Sequence, residues 1–297
     1  MASEPTETNN SASGPVVLGA YGLKIELPNA ERVLGPAESS WPTWAIVQLK
    51  GSEAAEEFIG PDSAAKPYPE GGGTLVERRT STTTFVLPEP RPPDLIVHPM
   101  LSFTAVVAAR WSGAQSFHAG AFVVDGGAWG VLGGKGAGKS TLLATAAAHG
   151  YPVVSDDVLV VRGRTCLAGP RAIDLREGVA SRFHEASFRG VVNGRERWRL
   201  LLPHTPAEVP LHGWLTLEWG PTSIAAIGPS ERFGLLAESL AVRLPPPDPS
   251  ALFDLATLPM LSVGRKPDLQ QMDGLIAVIT SGIRTASAVS SGSNPGR

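Results

Sequence analysis

The sequence predicts an α/β fold with a phosphate-binding-loop core and a β-rich N-terminal region. Three observations lead there. Residues 133–140 read GGKGAGKS, a complete match to G-x-x-x-x-G-K-[ST]. An apolar strand precedes that loop, and a helix and a second apolar strand follow it, forming a βαβ-type unit. Upstream, Val16 to Val97 alternates short β-favouring runs with Pro- and Gly-rich loops.

Along the chain, the small polar stretches 1–14 and 285–297 are expected as disordered tails. Strands are predicted over Leu23–Leu27, Trp44–Leu49, Leu75–Arg79 and Thr82–Leu87. The run PEPRPPDLIVHP (Pro88–Pro99) is too rich in proline for regular structure and reads as a boundary. It divides a β-rich region, 15–97, from a catalytic domain, 98–284. Leu101–Trp111 is Ala/Val-rich and reads as a helix, followed by strands Ser116–Val124 and Trp129–Leu132. Leu142, Leu143 and Ala146 fall at helical spacing within Lys139–His149, and Gly150 occupies the position of a C′ glycine. Pro152–Val161 is the next strand, then Arg197–Leu202 and Gly213–Trp219. A helix over Ser230–Arg243, a Pro-rich joint over Leu244–Pro249 and a helix-plus-strand region ending near Ile283 complete the pattern.

The 297 residues carry 25 basic and 28 acidic side chains, a net charge of −3. That near balance excludes a chain held to nucleic acid or to an anionic membrane by bulk charge. A lone cysteine, Cys166, excludes an intramolecular disulfide and a cysteine metal cluster, and reads as a small buried hydrophobe. No secretory signal is visible, and no run approaches the roughly 18 apolar residues of a membrane span. The expected location is the cytoplasm, without nucleic-acid or membrane partners; a homo-oligomer is left open.

The chemistry concentrates in the loop. Its glycines let successive backbone N–H groups turn inward towards phosphate, and the helix after it aims its positive end at the same anion. Gly133, Gly134, Lys135, Gly136, Ala137, Gly138, Lys139, Ser140 and Thr141 form the predicted nucleotide site. Lys139 would reach the β- and γ-phosphates, and the Ser140 hydroxyl would ligate Mg²⁺. The next strand reads PVVSDDVLVV, with Asp156 and Asp157 at its centre. Two carboxylates between buried apolar residues are costly unless a cation or hydrogen-bond donor meets them. His118 opens the strand ahead of the loop. Arg195, Arg197 and Arg199 alternate along a predicted strand and share one face. Of these, Arg197 and Arg199, with Arg171 and Arg176, are candidates to grip an anionic substrate. Trp214 and Trp219 bracket a strand and are expected to pack rather than stack on a base.

His118 (FHAG), the loop GGKGAGKS and the pair in VVSDD together resemble the catalytic domain of HPr kinase/phosphorylase, enzymes that use ATP to phosphorylate a serine on a small carrier protein. His118 and Lys139 lie 21 residues apart, Lys139 and Asp156 17 apart, which fits the family pattern without a gap. The resemblance covers roughly residues 115–165. It implies an HPr kinase/PEP carboxykinase-like core and ATP and Mg²⁺ as cofactors. It implies Asp156 as general base, Asp157 assisting through the metal or through its hydrogen-bond network, and His118 beside the pair; Asp157 and Ser140 are the candidate metal ligands. AGPRAIDLREG (Ala168–Gly178) stands where the carrier kinases have E-I-R-G-L-G. The chain is in that respect similar to the shorter HPr-kinase-like proteins of clusters that make ribosomally synthesised modified peptides, lasso-peptide kinases among them. That group implies a serine of a precursor peptide, or of a small protein, as acceptor and partner.

Two other classes stay open on the sequence. A nucleotide-binding regulatory ATPase would carry a water-activating Glu after the strand Asp, which VVSDDVLVV lacks. A small-molecule kinase has no contrary motif, since nothing in the sequence encodes the acceptor pocket. A GTPase is disfavoured because N-K-x-D does not occur.

Overall fold

The computed structural model describes residues 16–192, 195–242, 244 and 248–292, the side chains of 192, 195 and 289–292 excepted. The N-terminal region forms an eight-stranded sheet: β1 (Leu18–Ala20), β2 (Leu23–Glu26), β3 (Gly35–Pro36), β4 (Thr43–Lys50), β5 (Phe58–Ile59), β6 (Ser63–Pro67), β7 (Gly73–Glu77) and β8 (Thr82–Leu87), in the order β3-β1-β2-β4-β8-β7-β6-β5. β1 and β2 are joined by Tyr21 and Gly22, both at positive φ (59° and 83°), the backbone that a tight two-residue hairpin requires. Helix α1 (Ser102–Trp111) lies against this sheet. Ala105, Val106 and Ala109 share a core with Trp44, Val76 and Phe85, and the Thr104 and Thr83 hydroxyls meet 3.1 Å apart inside it. α1, which lies beyond the boundary expected at residue 97, thus packs on the N-terminal sheet. The same core takes in Val158, Val160 and Leu167 from the second half of the chain.

A nine-stranded sheet carries the Gly-rich loop. Its members are β9 (Gln115–Phe117), β10 (Gly120–Val124), β11 (Gly127–Leu132), β12 (Val153–Ser155), β13 (Leu159–Arg162), β14 (Thr165–Leu167), β18 (Glu208–Trp219), β19 (Ser223–Ala226) and β20 (Met260–Arg265). Three further strands, β15 (Ala172–Leu175), β16 (Ser187–Val192) and β17 (Arg195–Leu201), form a small antiparallel sheet in the order β15-β17-β16. Helix α2 (Lys139–Ala148) comes directly after the loop; α3 (Pro229–Glu238), α4 (Pro249–Ala256) and α5 (Met272–Gly292) are the other long helices of this half, and short helical turns occur at Pro93–Leu95, Ile96–Met100, Glu177–Ala180 and Leu269–Gln271. Alternate residues of the central strands enter opposite cores. Phe122, Val131, Leu215 and Val263 pack with Leu142, Leu143, Ile276 and Ile279 of α2 and α5. Ala121, Ala128, Trp214 and Met260 pack with Leu236, Leu252 and Leu255 of α3 and α4. Both faces of the sheet are covered by helices, as the apolar strand runs predict for an α/β layer.

Several boundaries differ from the sequence reading. The strand expected over 116–124 breaks at His118–Ala119, and the one over 152–161 breaks at Asp156–Val158. The breaks face each other, since Phe117 pairs with Leu159 and Ala121 with Ser155. In the βαβ unit β10 stands between β11 and β12, antiparallel to both. The helix expected to reach Arg243 stops at Glu238, because the chain turns back to cover the edge of β9: the Ser239 carbonyl accepts from the His118 N–H at 2.8 Å, and the Ala241 N–H donates to the Ser116 carbonyl at 2.9 Å. The tail expected from residue 285 is helical as far as Gly292, the continuation of α5. Residues 1–14 and 293–297 lie outside the described residues.

Gly120 shows how tightly α2 is set on the sheet at the break. A Cβ there would collide with Leu143 of α2 and stand 2.7 Å from the Ser155 carbonyl oxygen. Gly120→Ala is expected to cost about 1–3 kcal/mol of overpacking, read as a lower urea midpoint at unchanged slope. An unchanged midpoint would show that β10 and α2 can separate freely.

Candidate functional site

β11 ends at buried Leu132, and the chain then curls through 133–138 into α2. Gly138 is the residue before the helix, at φ 83°, and a Cβ there would land on the Arg265 guanidinium. Only glycine fits both constraints. The Lys139 ammonium turns back onto the loop, donating to the Gly133 carbonyl at 2.6 Å. Burial lowers its pKa, opposed by the charges of Asp156 and Asp157.

The strand break brings the carboxylates to the same place. Asp157 sits at φ 70°, and the Val158 N–H donates across it to the Asp156 carbonyl at 2.9 Å, a tight three-residue turn at the centre of what the sequence reads as one strand. The two side chains diverge in environment. Asp156 is buried, 4% exposed, and accepts from the Ser140 hydroxyl at 3.0 Å. Burial first, then the neighbouring Asp157, push its pKa up from 3.8 to about 7, against the hydrogen bond from Ser140. Asp157 is half-exposed. It accepts from the Ser102 hydroxyl of α1 at 3.2 Å and faces His118 Nδ1 at 3.7 Å. Burial and Lys139 lower the His118 pKa, opposed by Asp157, so the ring is neutral at pH 7.

These groups open on one cleft of about 1010 Å³. It is lined by Lys135, Gly136, Gly138, Lys139, Ser140 and Thr141 of the loop and helix, and by His118, Asp156 and Asp157. Of the candidate arginines, Arg176 and Arg197 line it and two do not. Arg171 is engaged by the Leu202 carbonyl, at 2.9 and 3.1 Å, which takes it away from an incoming anion. Arg199 does share its strand face with Arg197, but it is fully buried: its guanidinium grips Asp174 through two bonds, at 2.8 and 3.1 Å, and reaches the Asp94 and His98 carbonyls. Burial would raise the Asp174 pKa, but His98, Arg199 and Arg197 together hold it below the ordinary carboxylate value. The side chain of Arg195 lies outside the described residues.

The sequence reading missed several residues of this site. Arg265, at the end of β20, donates through Nε to the Ala137 carbonyl at 3.0 Å and so braces the loop. Trp219 lines the cleft and is 54% exposed rather than packed away; Trp214, its expected counterpart, is fully buried. Tyr21 reaches in from the N-terminal hairpin, its phenol buried beside Ser155, Ser102 and the Asp pair; burial and the charge of Asp157 raise its pKa. No motif marks these three.

The donor set suits a hard cation. Ser140 Oγ and the two carboxylates are oxygen donors at one end of the loop, and no group of three or more His, Cys, Asp or Glu side chains among the described residues could cage a metal. Mg²⁺ binds through one or two protein oxygens plus phosphate and water, and fits such a set. A larger groove of about 1250 Å³, between β19, β20 and α5, is lined by Ile224, Leu258, Met260 and Val278 and contains none of these groups. No helix among the described residues is long and apolar enough to cross a membrane.

No protein-family model matches the chain, and no curated protein matches it significantly. Among solved structures it is similar to one described as the Hpr(Ser) kinase/phosphatase from Coxiella burnetii, at 11% identity and a TM-score of 0.30, covering 60% of this chain and 99% of that one. At those values the relationship is a distant structural one, and the chemistry of the site is carried by its own geometry.

The pKa of Asp156 makes a stability prediction. Below pH 4 the carboxyl is protonated whether the chain is folded or not; between 4 and 7 only the unfolded chain ionises it. The contribution of the neutral group is thus complete at low pH and is lost as pH rises through about 7. The nucleotide-free protein should lose stability against Asp156→Asn over that window, by up to roughly 4 kcal/mol, in urea titrations at successive pH values. Parallel pH profiles would show that Asp156 is ionised throughout.

Proposed function

We propose that the protein is an ATP- and Mg²⁺-dependent phosphotransferase that passes the γ-phosphoryl group to a hydroxyl, a serine of a peptide or small protein, with Asp156 as general base. The observation that carries this reading is the buried carboxylate of Asp156, its pKa raised to about 7, at the mouth of a Gly-rich loop and helix N-terminus. A hydroxyl is a weak nucleophile, and a base poised near neutral pH is the group its attack requires. A protein that only binds nucleotide has no need of one.

In this reading the loop N–H groups hold the β- and γ-phosphates, and Lys139 exchanges the Gly133 carbonyl for phosphate oxygen. Ser140 and Asp157 would hold Mg²⁺, which when bound neutralises charge on the phosphates. Asp156 takes the proton of the acceptor hydroxyl as the oxygen–phosphorus bond forms and the bond to the ADP oxygen breaks. His118, neutral beside Asp157, orients that carboxylate. Arg176 and Arg197 line the cleft and supply charge for an acceptor bearing carboxylates.

Lys139→Ala is expected to abolish ATP binding by calorimetry; undiminished affinity would remove the loop from the site. Asp156→Asn should retain ATP binding and lower phosphotransfer by about 10²–10⁴-fold. Acceptor identity is read by intact-mass spectrometry after incubation with ATP, Mg²⁺ and a panel of a serine-containing precursor peptide, a phosphocarrier protein and simple sugars. One phosphoryl group gained by the peptide or protein and not with Asp156→Asn supports the proposal. Transfer to a sugar alone overturns the acceptor class, and tight ATP binding without transfer to any overturns the kinase reading.

A further inference from the structure

Trp219 is the last residue of β18, which runs parallel to both β11 and β20. Thr216 is level with Leu132, where β11 ends, so Trp219 stands three residues, about 10 Å, further along the strand direction and beside the Gly-rich loop. Ligands of parallel sheets bind at these carboxyl ends. Across the ladder Trp219 is paired with Arg265, whose guanidinium lies 3.9 Å from the indole centroid. That guanidinium also holds the Ala137 carbonyl. One chain of contacts thus runs from the indole through Arg265 to the backbone of the loop, fixing their separation.

Arg265 covers one face of the indole, yet 54% of the residue remains exposed. Trp219 also lines the cleft whose neighbouring wall would hold phosphate. Pro267 and Leu269 line the same cleft and give that end an apolar border. A large aromatic held rigid at a cleft rim and left uncovered suits a flat aromatic ligand, since stacking is where an indole face gains most. A flat aromatic group tethered to phosphates is a nucleobase.

We propose that Trp219 is the stacking platform for the purine base of the nucleoside triphosphate, and that Arg265 positions it by gripping both indole and loop. The proposal rests on the nucleotide reading of the cleft and adds the base subsite to it. Because every base has a π-face, the platform binds ATP and GTP with comparable strength and separates both from inorganic triphosphate.

The test is calorimetric binding of MgATP and of Mg-tripolyphosphate, which has no base, to wild type, Trp219→Phe and Trp219→Ala. Trp219→Ala is expected to weaken ATP about tenfold and to leave tripolyphosphate unchanged, with Trp219→Phe retaining most of the ATP affinity. Equal weakening of both ligands would mean that Trp219 acts only on the loop through Arg265, and overturns the proposal. So does unchanged ATP affinity, or wild-type protein that binds the two ligands equally; in both cases phosphate binding by the loop stands. Wild-type protein that binds neither ligand overturns the nucleotide reading and the platform with it.

Discussion

The hydrogen bond from Ser140 to Asp156 joins the first turn of a helix to a break in a strand, and the surrounding structure is what that junction demands. A carboxyl buried this deeply is tolerated only when neutral or met by donors. To bring the donor within reach, α2 must sit against β10 without a side chain between them, which is why a glycine stands at 120. The loop feeding α2 must turn through a positive φ at 138 and leave room for Arg265. The strand must also stop pairing at Asp156, and β9 and β10 break opposite it, leaving His118 at the gap. Loss of ladder hydrogen bonds and a residue at φ 70° are costs that a merely structural strand would not carry.

The N-terminal sheet takes part in this arrangement. Ser102 of the helix packed on it donates to Asp157, Tyr21 at its hairpin tip is buried within the electrostatic influence of the pair, and the Tyr21 N–H donates to the Ala168 carbonyl. Val158 and Val160, just past the break, bury themselves in the core of the N-terminal layer. One side of the carboxylate pair is therefore set by the loop-bearing sheet and the other by the N-terminal layer. A shift between the layers would be felt first at Asp157, whose partners come from both.

The legible and the hidden parts of the site divide on physical grounds. The loop, α2, His118 and the Asp pair can be read from the sequence because each is a local pattern: glycine spacing, helical period, or polar residues in an apolar run. The strand breaks cannot, since apolar residues continue on both sides of Asp156–Asp157 and buried strands show no alternation to interrupt. Arg197 and Arg199 share one face, as their alternation requires, but alternation cannot tell which is walled in by Asp174 and which meets the cleft. Trp219 and Arg265, 46 residues apart in sequence, meet only through the register of β18 and β20. The partner of α1 is hidden for the same reason: prolines mark where regular structure stops, and α1 packs on the sheet that precedes it in the chain.

On the proposed reading, the charges around the cleft would leave a bound triphosphate in need of a metal. Lys135, Lys139, Arg176, Arg197 and Arg265 line it, against Asp156, Asp157, Asp174, Glu177 and Glu196. The acidic side is weaker than that count, because Arg199 neutralises Asp174 from behind the wall and Asp156 titrates near 7. The basic side is weaker at the phosphate position as well: Arg265 is committed to Ala137 and to the indole, leaving Lys139 as the ammonium buried at the loop. One buried ammonium and a helix end do not balance the charge of a triphosphate beside two carboxylates. On the proposed reading, a divalent cation held by Ser140 and Asp157 would supply the missing charge.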